Sequence, residues 1–238
     1  MEEKVSGIVL SGISYGENDK ILNVFTLEKG VISAKIKGVK KAGAKLKFAS
    51  EPFCFAEFIL INGRAGYSVK TASLTDSFYA IREDIERYFC GGAVLEFIRK
   101  FYKENIVAPD AFLTTIEGLR EIAYSDNPLS ALVCFLITSL KEIGYALRTA
   151  TCFDCGCVIK GRTYFEYERG AFFCEECHTK ESREINPETL GALKKVENKV
   201  FASREECIRA LRLLDYYLSN KAEENIKSLK ELLKIAVL

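Results

Sequence analysis

The chain has 238 residues, 48% of them hydrophobic and 28% charged, which fits a folded soluble protein and excludes a disordered tail. Its 34 Lys+Arg and 33 Asp+Glu leave a formal net charge of +1, so attraction to a polyanion has to come from local segregation of charge. A single histidine excludes mechanisms that need two, and nine cysteines with no basic or apolar leader at Met1–Ser6 predict a cytosolic chain with reduced thiols.

Residues 1–78 read as β. Val5–Leu10, Ile21–Thr26, Val31–Lys37, Phe53–Ile61 and Gly66–Leu74 are short runs rich in β-formers. Glu28-Lys29-Gly30 and Asn62-Gly63-Arg64-Ala65 are turn signals between them. Five such runs predict a small barrel or sandwich. From Phe78 to Tyr145 the apolar period becomes helical, through Ile81, Ile85, Tyr88 and Phe89, then Val94, Leu95, Ile98, Phe101 and Tyr102. Pro109-Asp110 starts a second helix. Ser125-Asp126-Asn127-Pro128 breaks it and caps a third, with Leu129, Val133, Leu136 and Leu140 as core. The apolar stretch Leu129–Leu140 is too short for a membrane span, which takes about 20 residues. A cysteine-rich insert occupies 149–181. Helical signals return with Asn186-Pro187, a capping box at Ser203-Arg204-Glu205-Glu206 and an amphipathic stretch from Glu224 to Ile235. The expected organisation is a β domain (1–78), a helical domain (79–148 and 182–238) and the insert (149–181).

The insert holds two Cys-x-x-Cys knuckles, Cys152-Phe153-Asp154-Cys155 and Cys174-Glu175-Glu176-Cys177, separated by 18 residues, 156 through 173. One tight turn can place two thiolates on adjacent vertices of a tetrahedron, and a second turn supplies the other two, so this is the spacing of a structural zinc site. Tyr164, Phe165, Tyr167, Phe172 and Phe173 predict a hairpin between the knuckles, turning at Glu168-Arg169-Gly170. Cys157 and His178 adjoin the knuckles and are alternative ligands. A redox dithiol or metalloenzyme module is the competing reading. Cys54, Cys90, Cys134 and Cys207 stand singly in apolar patterns and are expected to be buried.

Charge segregates in one place. Lys35, Lys37, Lys40, Lys41, Lys45 and Lys47 fall between Gly30 and Ser50, a window without Asp or Glu. Lys35 and Lys37 share one face of a predicted strand, and Gly38, Ala42, Gly43 and Ala44 predict a mobile loop after it. Such a segment can track a phosphate backbone, with Phe48, Phe53, Phe55 and Tyr67 near enough to stack on bases. The alternative is a solvated face that protects a strand edge. No phosphate-binding Gly-Lys loop, dinucleotide fingerprint or nucleophile elbow occurs, so an enzymatic reading has little to rest on.

Taken in order, several motifs resemble those of the bacterial recombination mediator RecO family. They are Gly7-Ile8-Val9-Leu10, Tyr15-Gly16-Glu17-Asn18-Asp19-Lys20-Ile21-Leu22, Phe25-Thr26 with Gly30, Lys37-Gly38-Val39-Lys40-Lys41, Pro52-Phe53, the double knuckle, and Asn225-Ile226-Lys227-Ser228-Leu229-Lys230. The resemblance covers essentially the whole chain. It implies an α+β multidomain protein in which an N-terminal OB-fold barrel precedes a helical domain with an embedded four-Cys zinc finger. It also implies one structural Zn2+ and a non-enzymatic, cytoplasmic and nucleoid-associated role in DNA repair and recombination. The partners it implies are single- and double-stranded DNA, RecR, SSB and, indirectly, RecA, with annealing of complementary strands as the activity.

Overall fold

The five β-rich runs form β1 (Glu2–Tyr15), β2 (Asp19–Thr26), β3 (Gly30–Ile36), β4 (Phe55–Gly63) and β5 (Gly66–Asp76). In the computed structural model, which describes residues 2–64 and 66–236, they close into a barrel in the order β1-β2-β3-β5-β4. Met1 and Ala65, each part of a sequence expectation above, lie outside the described residues. β3 and β5 pair in parallel, Ala34 with Tyr67 and Lys35 with Ser68, and every other pair is antiparallel. This is the five-stranded Greek-key barrel of the OB fold. Alternate residues point inward: Leu22 and Val24 from β2, Ile32, Ala34 and Ile36 from β3, Ala56, Phe58 and Leu60 from β4.

Two local irregularities shape the barrel. The pairing of β1 with β2 slips between Val9 and Ser11, which makes Leu10 a bulge. Opposite it, Phe53 adopts φ +67° and leaves the strand its sequence predicts, so that β4 starts at Phe55. Phe53 N–H donates to the Val9 carbonyl, and its ring is buried beside Gly91, where a Cβ would come within 3.0 Å of it.

The chain divides into two compact units, Met1–Ala123 and Tyr124–Leu238. The first contains the barrel, α1 (Ala80–Glu83), α2 (Ile85–Phe101) and nearly all of α3 (Pro109–Tyr124). The Asp84 side chain accepts from Arg87 N–H and caps α2. These helices cover one outer face of the barrel, where Phe25 meets Tyr102 and Phe112, and Phe55 meets Phe112, with ring centroids 5.5–6.0 Å apart. Behind the β2–β3 turn runs the segment before α3. Asn105 N–H donates to the Val31 carbonyl, and a Cβ on Gly30 (φ +68°) would lie 1.9 Å from the Ile106 carbonyl oxygen. Gly30→Ala should therefore destabilise this unit by about 2–5 kcal/mol, combining left-handed backbone strain with overpacking against a main chain. Urea unfolding checks it, and a loss under about 1 kcal/mol would show that residues 104–106 simply move aside.

The second unit holds α4 (Pro128–Glu142), β6 (Thr163–Glu166), β7 (Ala171–Phe173), β8 (Arg183–Ile185), α5 (Pro187–Glu197), α6 (Arg204–Lys221) and α7 (Lys227–Ile235). Asn127 caps α4, Asn186 caps α5 with Pro187 in its first turn, and Ser203 with Glu206 forms the capping box of α6, all as the sequence predicts. Leu129, Val133, Leu136 and Leu140 are buried. Cys134 is exposed, contrary to expectation, because α4 is apolar enough that pattern alone does not assign its faces. Among the described residues no helix is long and apolar enough to cross a membrane.

Candidate nucleic-acid face and metal centre

The six lysines do not form one uniform track. Lys35 lies on the outer face of β3, 2.9 Å from an Asp19 carboxylate oxygen and 4.5 Å from the centre of the Tyr15 ring. Lys37, Lys40, Lys41, Lys45 and Lys47 are exposed and make no ion pair with any described residue. They stand on the β3–β4 connection rather than on strands. That connection is folded into successive turns: Lys41 N–H donates to Gly38, Ala44 to Lys41, Lys47 to Ala44 and Ser50 to Lys47, at 3.1–3.2 Å. Val39 and Ala49 are buried in the barrel core and Leu46 packs against it. The lysines alternate with these anchors, so their side chains are left to solvent.

Both ends of the connection are tied to the start of β2. Asp19 accepts from Gly38 N–H at 2.9 Å, and Asn18 accepts from Lys40 N–H at 3.1 Å. The Gly38 hydrogen bond, with help from Lys35, holds the Asp19 carboxyl below the usual range. Lys20 reaches the Ser50 carbonyl and the Glu51 carboxylate at the other end.

Of the four aromatics proposed from sequence, only Phe48 is exposed. Phe53 is buried, Phe55 packs on Phe112, and Tyr67 lies under Lys29. The ring that sequence reasoning missed is Tyr15, 51% exposed at the end of β1. Strand pairing, which the sequence does not display, is what places it. Ile13 pairs with Ile21 and Ile21 with Lys35, while Tyr15 pairs with Asp19, which sets Ile13, Tyr15 and Lys35 on one outer face. An exposed aromatic ring, an exposed aliphatic side chain and a basic connection are the kinds of group that could take stacked bases and phosphates.

The second unit brings Cys152, Cys155, Cys174 and Cys177 together, with all four Sγ atoms within 4.8 Å of one another. A tetrahedron of thiolates with bonds of about 2.3 Å needs sulfur–sulfur separations of about 3.8 Å. Cys155 and Cys174 are 3.8 Å apart. The four can hold a metal ion. Gly156, at φ +71°, turns the first knuckle, and Cys152 N–H donates to the Cys157 carbonyl. Burial works against the Cys152 thiolate, but backbone N–H groups of Cys155, Cys174 and Asp154 bring its pKa down to about 6. Cys177 is pushed up because Cys155 and Cys174 favour its proton. Four neighbouring thiols that cannot all ionise by themselves are what a cation resolves.

His178, the alternative ligand, is stacked on Tyr164 with centroids 4.1 Å apart, and its Nδ1 bonds the Glu175 carbonyl at 2.7 Å. Cys157 lies outside the tight group, and its thiol is raised to about 12, first by its contact with Cys155 and then by burial. β6 and β7 form the expected hairpin, and β8, which the sequence did not reveal, adds a third strand. One side of this sheet is the small cluster of Cys152, Tyr164, Ala171 and Phe173; from the other, Phe165 meets Tyr217 of α6 at 5.8 Å.

Comparison with known proteins matches residues 1–78 to the family described as Recombination protein O N terminal and residues 82–230 to Recombination protein O C terminal. The DNA repair protein RecO of Acetivibrio thermocellus is 31% identical over 175 residues, covering 73% of this chain and 70% of that protein. Those of Alkaliphilus metalliredigens and Clostridium novyi are 27% and 26% identical over 214 and 235 residues, covering 90% and 95% of this chain and 86% and 92% of theirs.

Proposed function

The chain belongs to the recombination protein O (RecO) family of DNA repair proteins, and from that premise we propose that it is a non-enzymatic recombination mediator. In this reading it binds single- and double-stranded DNA, anneals complementary strands and, with RecR, helps load RecA onto SSB-coated single strands in the cytoplasm, at the nucleoid. The observation that carries the reading is the set of five solvent-facing lysines on a connection anchored beside the exposed Tyr15 and Ile13 face. Lys35 has a different part, because Asp19 already holds it; it orients the Tyr15 ring and adds less to phosphate binding. One zinc ion, bound by Cys152, Cys155, Cys174 and Cys177, would fix the insert and supply no chemistry, since four thiolates leave no open position.

The deciding experiment mixes complementary strands coated with a single-stranded DNA-binding protein, without ATP. Acceleration of annealing is expected, and no acceleration at low salt would reject the mediator reading. Tyr15→Ala tests the face separately. It should weaken binding to a single strand by about 1–3 kcal/mol, the usual worth of one base–aromatic stack, with duplex binding much less affected. Fluorescence anisotropy with matched single- and double-stranded probes measures the split, and equal losses on both would mean that Tyr15 only positions Lys35.

A further inference from the structure

The second unit contains a cavity of about 290 Å³ remote in sequence from the lysine connection. Three arginines line it, Arg183 of β8 and Arg209 and Arg212 of α6. Their situations differ. Arg209 is held by Glu188 and, at 3.4 Å, by Glu205. Arg183 has no carboxylate partner among the described residues and lies over the Tyr216 ring, 5.3 Å from its centre. Arg212 is exposed and makes no ion pair with any described residue. Glu184 is the one acidic residue on the wall, and its nearest cation is Arg162 at 3.9 Å. The remaining wall is apolar, from Phe165, Ile185 and Leu213, and Asn186 and Thr189 bring the positive end of α5 to the rim.

A pocket with two guanidinium groups free of carboxylate partners, a half-buried ring that Arg183 and Tyr167 contact, and an apolar wall suits a ligand that is flat at one end and anionic at the other. We propose that this cavity is a second DNA contact, binding one nucleotide of a single strand, with the base against the Tyr216–Arg183 pair and the phosphate on Arg212. Guanidinium planes and aromatic rings are the surfaces on which splayed bases stack, and Glu184 opposes the many charges of a strongly acidic peptide more than the single charge of one phosphodiester, which two arginines without carboxylate partners can meet. A cleft of this size takes one splayed nucleotide, and a duplex keeps its bases stacked, so the site should favour single strands. The inference rests on the proposed DNA-binding role and adds a site to it.

The test uses the full chain. A single-stranded oligonucleotide carrying 5-iododeoxyuridine is cross-linked by light and the modified peptides are mapped, while an Arg183→Ala, Arg212→Ala variant is titrated with a labelled single strand at several salt concentrations. Cross-links in the peptide containing Tyr216 are expected, together with an about tenfold loss of single-strand affinity. The salt slope should fall by about 0.7 for each phosphate that the variant no longer neutralises. Because both arginines are exposed, the variant should keep the unfolding midpoint of the parent, which separates impaired binding from impaired folding. Cross-links confined to Tyr15 and residues 37–54, with unchanged affinity in the variant, would overturn this site and leave the barrel reading intact. Failure of the parent chain to bind the oligonucleotide would overturn both. Protection of Arg212 from phenylglyoxal by polyglutamate but not by the oligonucleotide would assign the cavity to a protein partner and overturn the proposal.

Discussion

Removing metal with a chelator, or substituting Cys155→Ser, should open residues 149–181 to protease while the barrel stays folded. The sheet face that carries the knuckles rests on only four buried residues, Cys152, Tyr164, Ala171 and Phe173. Burying large apolar side chains contributes about 1.5–3 kcal/mol each, whereas ordering a residue costs about 1–2 kcal/mol of backbone entropy. So small a cluster does not offset the ordering of an insert this long. Structural zinc in comparable small modules contributes about 10–16 kcal/mol, enough to reverse the balance. The barrel draws on its own core, so its digestion pattern should not change. Cys157→Ser is the control and should leave the insert protected, because the tight group of sulfurs excludes it. Limited proteolysis with peptide mapping and metal analysis reads both. Equal digestion of 149–181 with and without chelator would show that Phe165 and Phe172, buried on the other side of the hairpin, suffice to hold it.

Replacing Lys37, Lys40, Lys41, Lys45 and Lys47 with alanine together should flatten the salt dependence of single-strand binding by roughly 3.5 in log–log slope, at about 0.7 per neutralised phosphate. The same variant should lose most of its affinity at low salt, by about three orders of magnitude, and its annealing activity with it. Folding should survive, because all five side chains are exposed and the anchors Val39, Leu46 and Ala49 are untouched. Lys35→Ala alone should change the slope far less, since its charge is already opposed by Asp19. A slope unchanged by the five substitutions would remove the connection from the DNA path.

The fold class was legible because its signals are local. Alternation in β1–β5, prolines and caps at helix starts, and the knuckle spacing each act over a few residues. Side-chain selection on the barrel was less legible, because it depends on strand neighbours that sequence does not display. Phe53 looks like any strand aromatic until its positive φ turns it inward, and Tyr15 looks like a turn residue until β1 extends to include it. β8 has three residues and no apolar alternation, so it had no signal to find. The lysine window was visible as charge, but not the division within it: whether a lysine is engaged depends on Asp19, which the fold delivers from another strand.

That division means that salt acts on the barrel twice. Added ions screen phosphates from the five exposed lysines, and they also screen the Lys35–Asp19 pair that braces the Tyr15 ring. The Gly38 hydrogen bond to Asp19 is less sensitive to ionic strength, so the connection keeps its course while the aromatic platform beside it loosens. Apparent affinity should then decline faster than phosphate counting alone requires, and the excess would measure how far DNA binding relies on the Lys35–Asp19 pair.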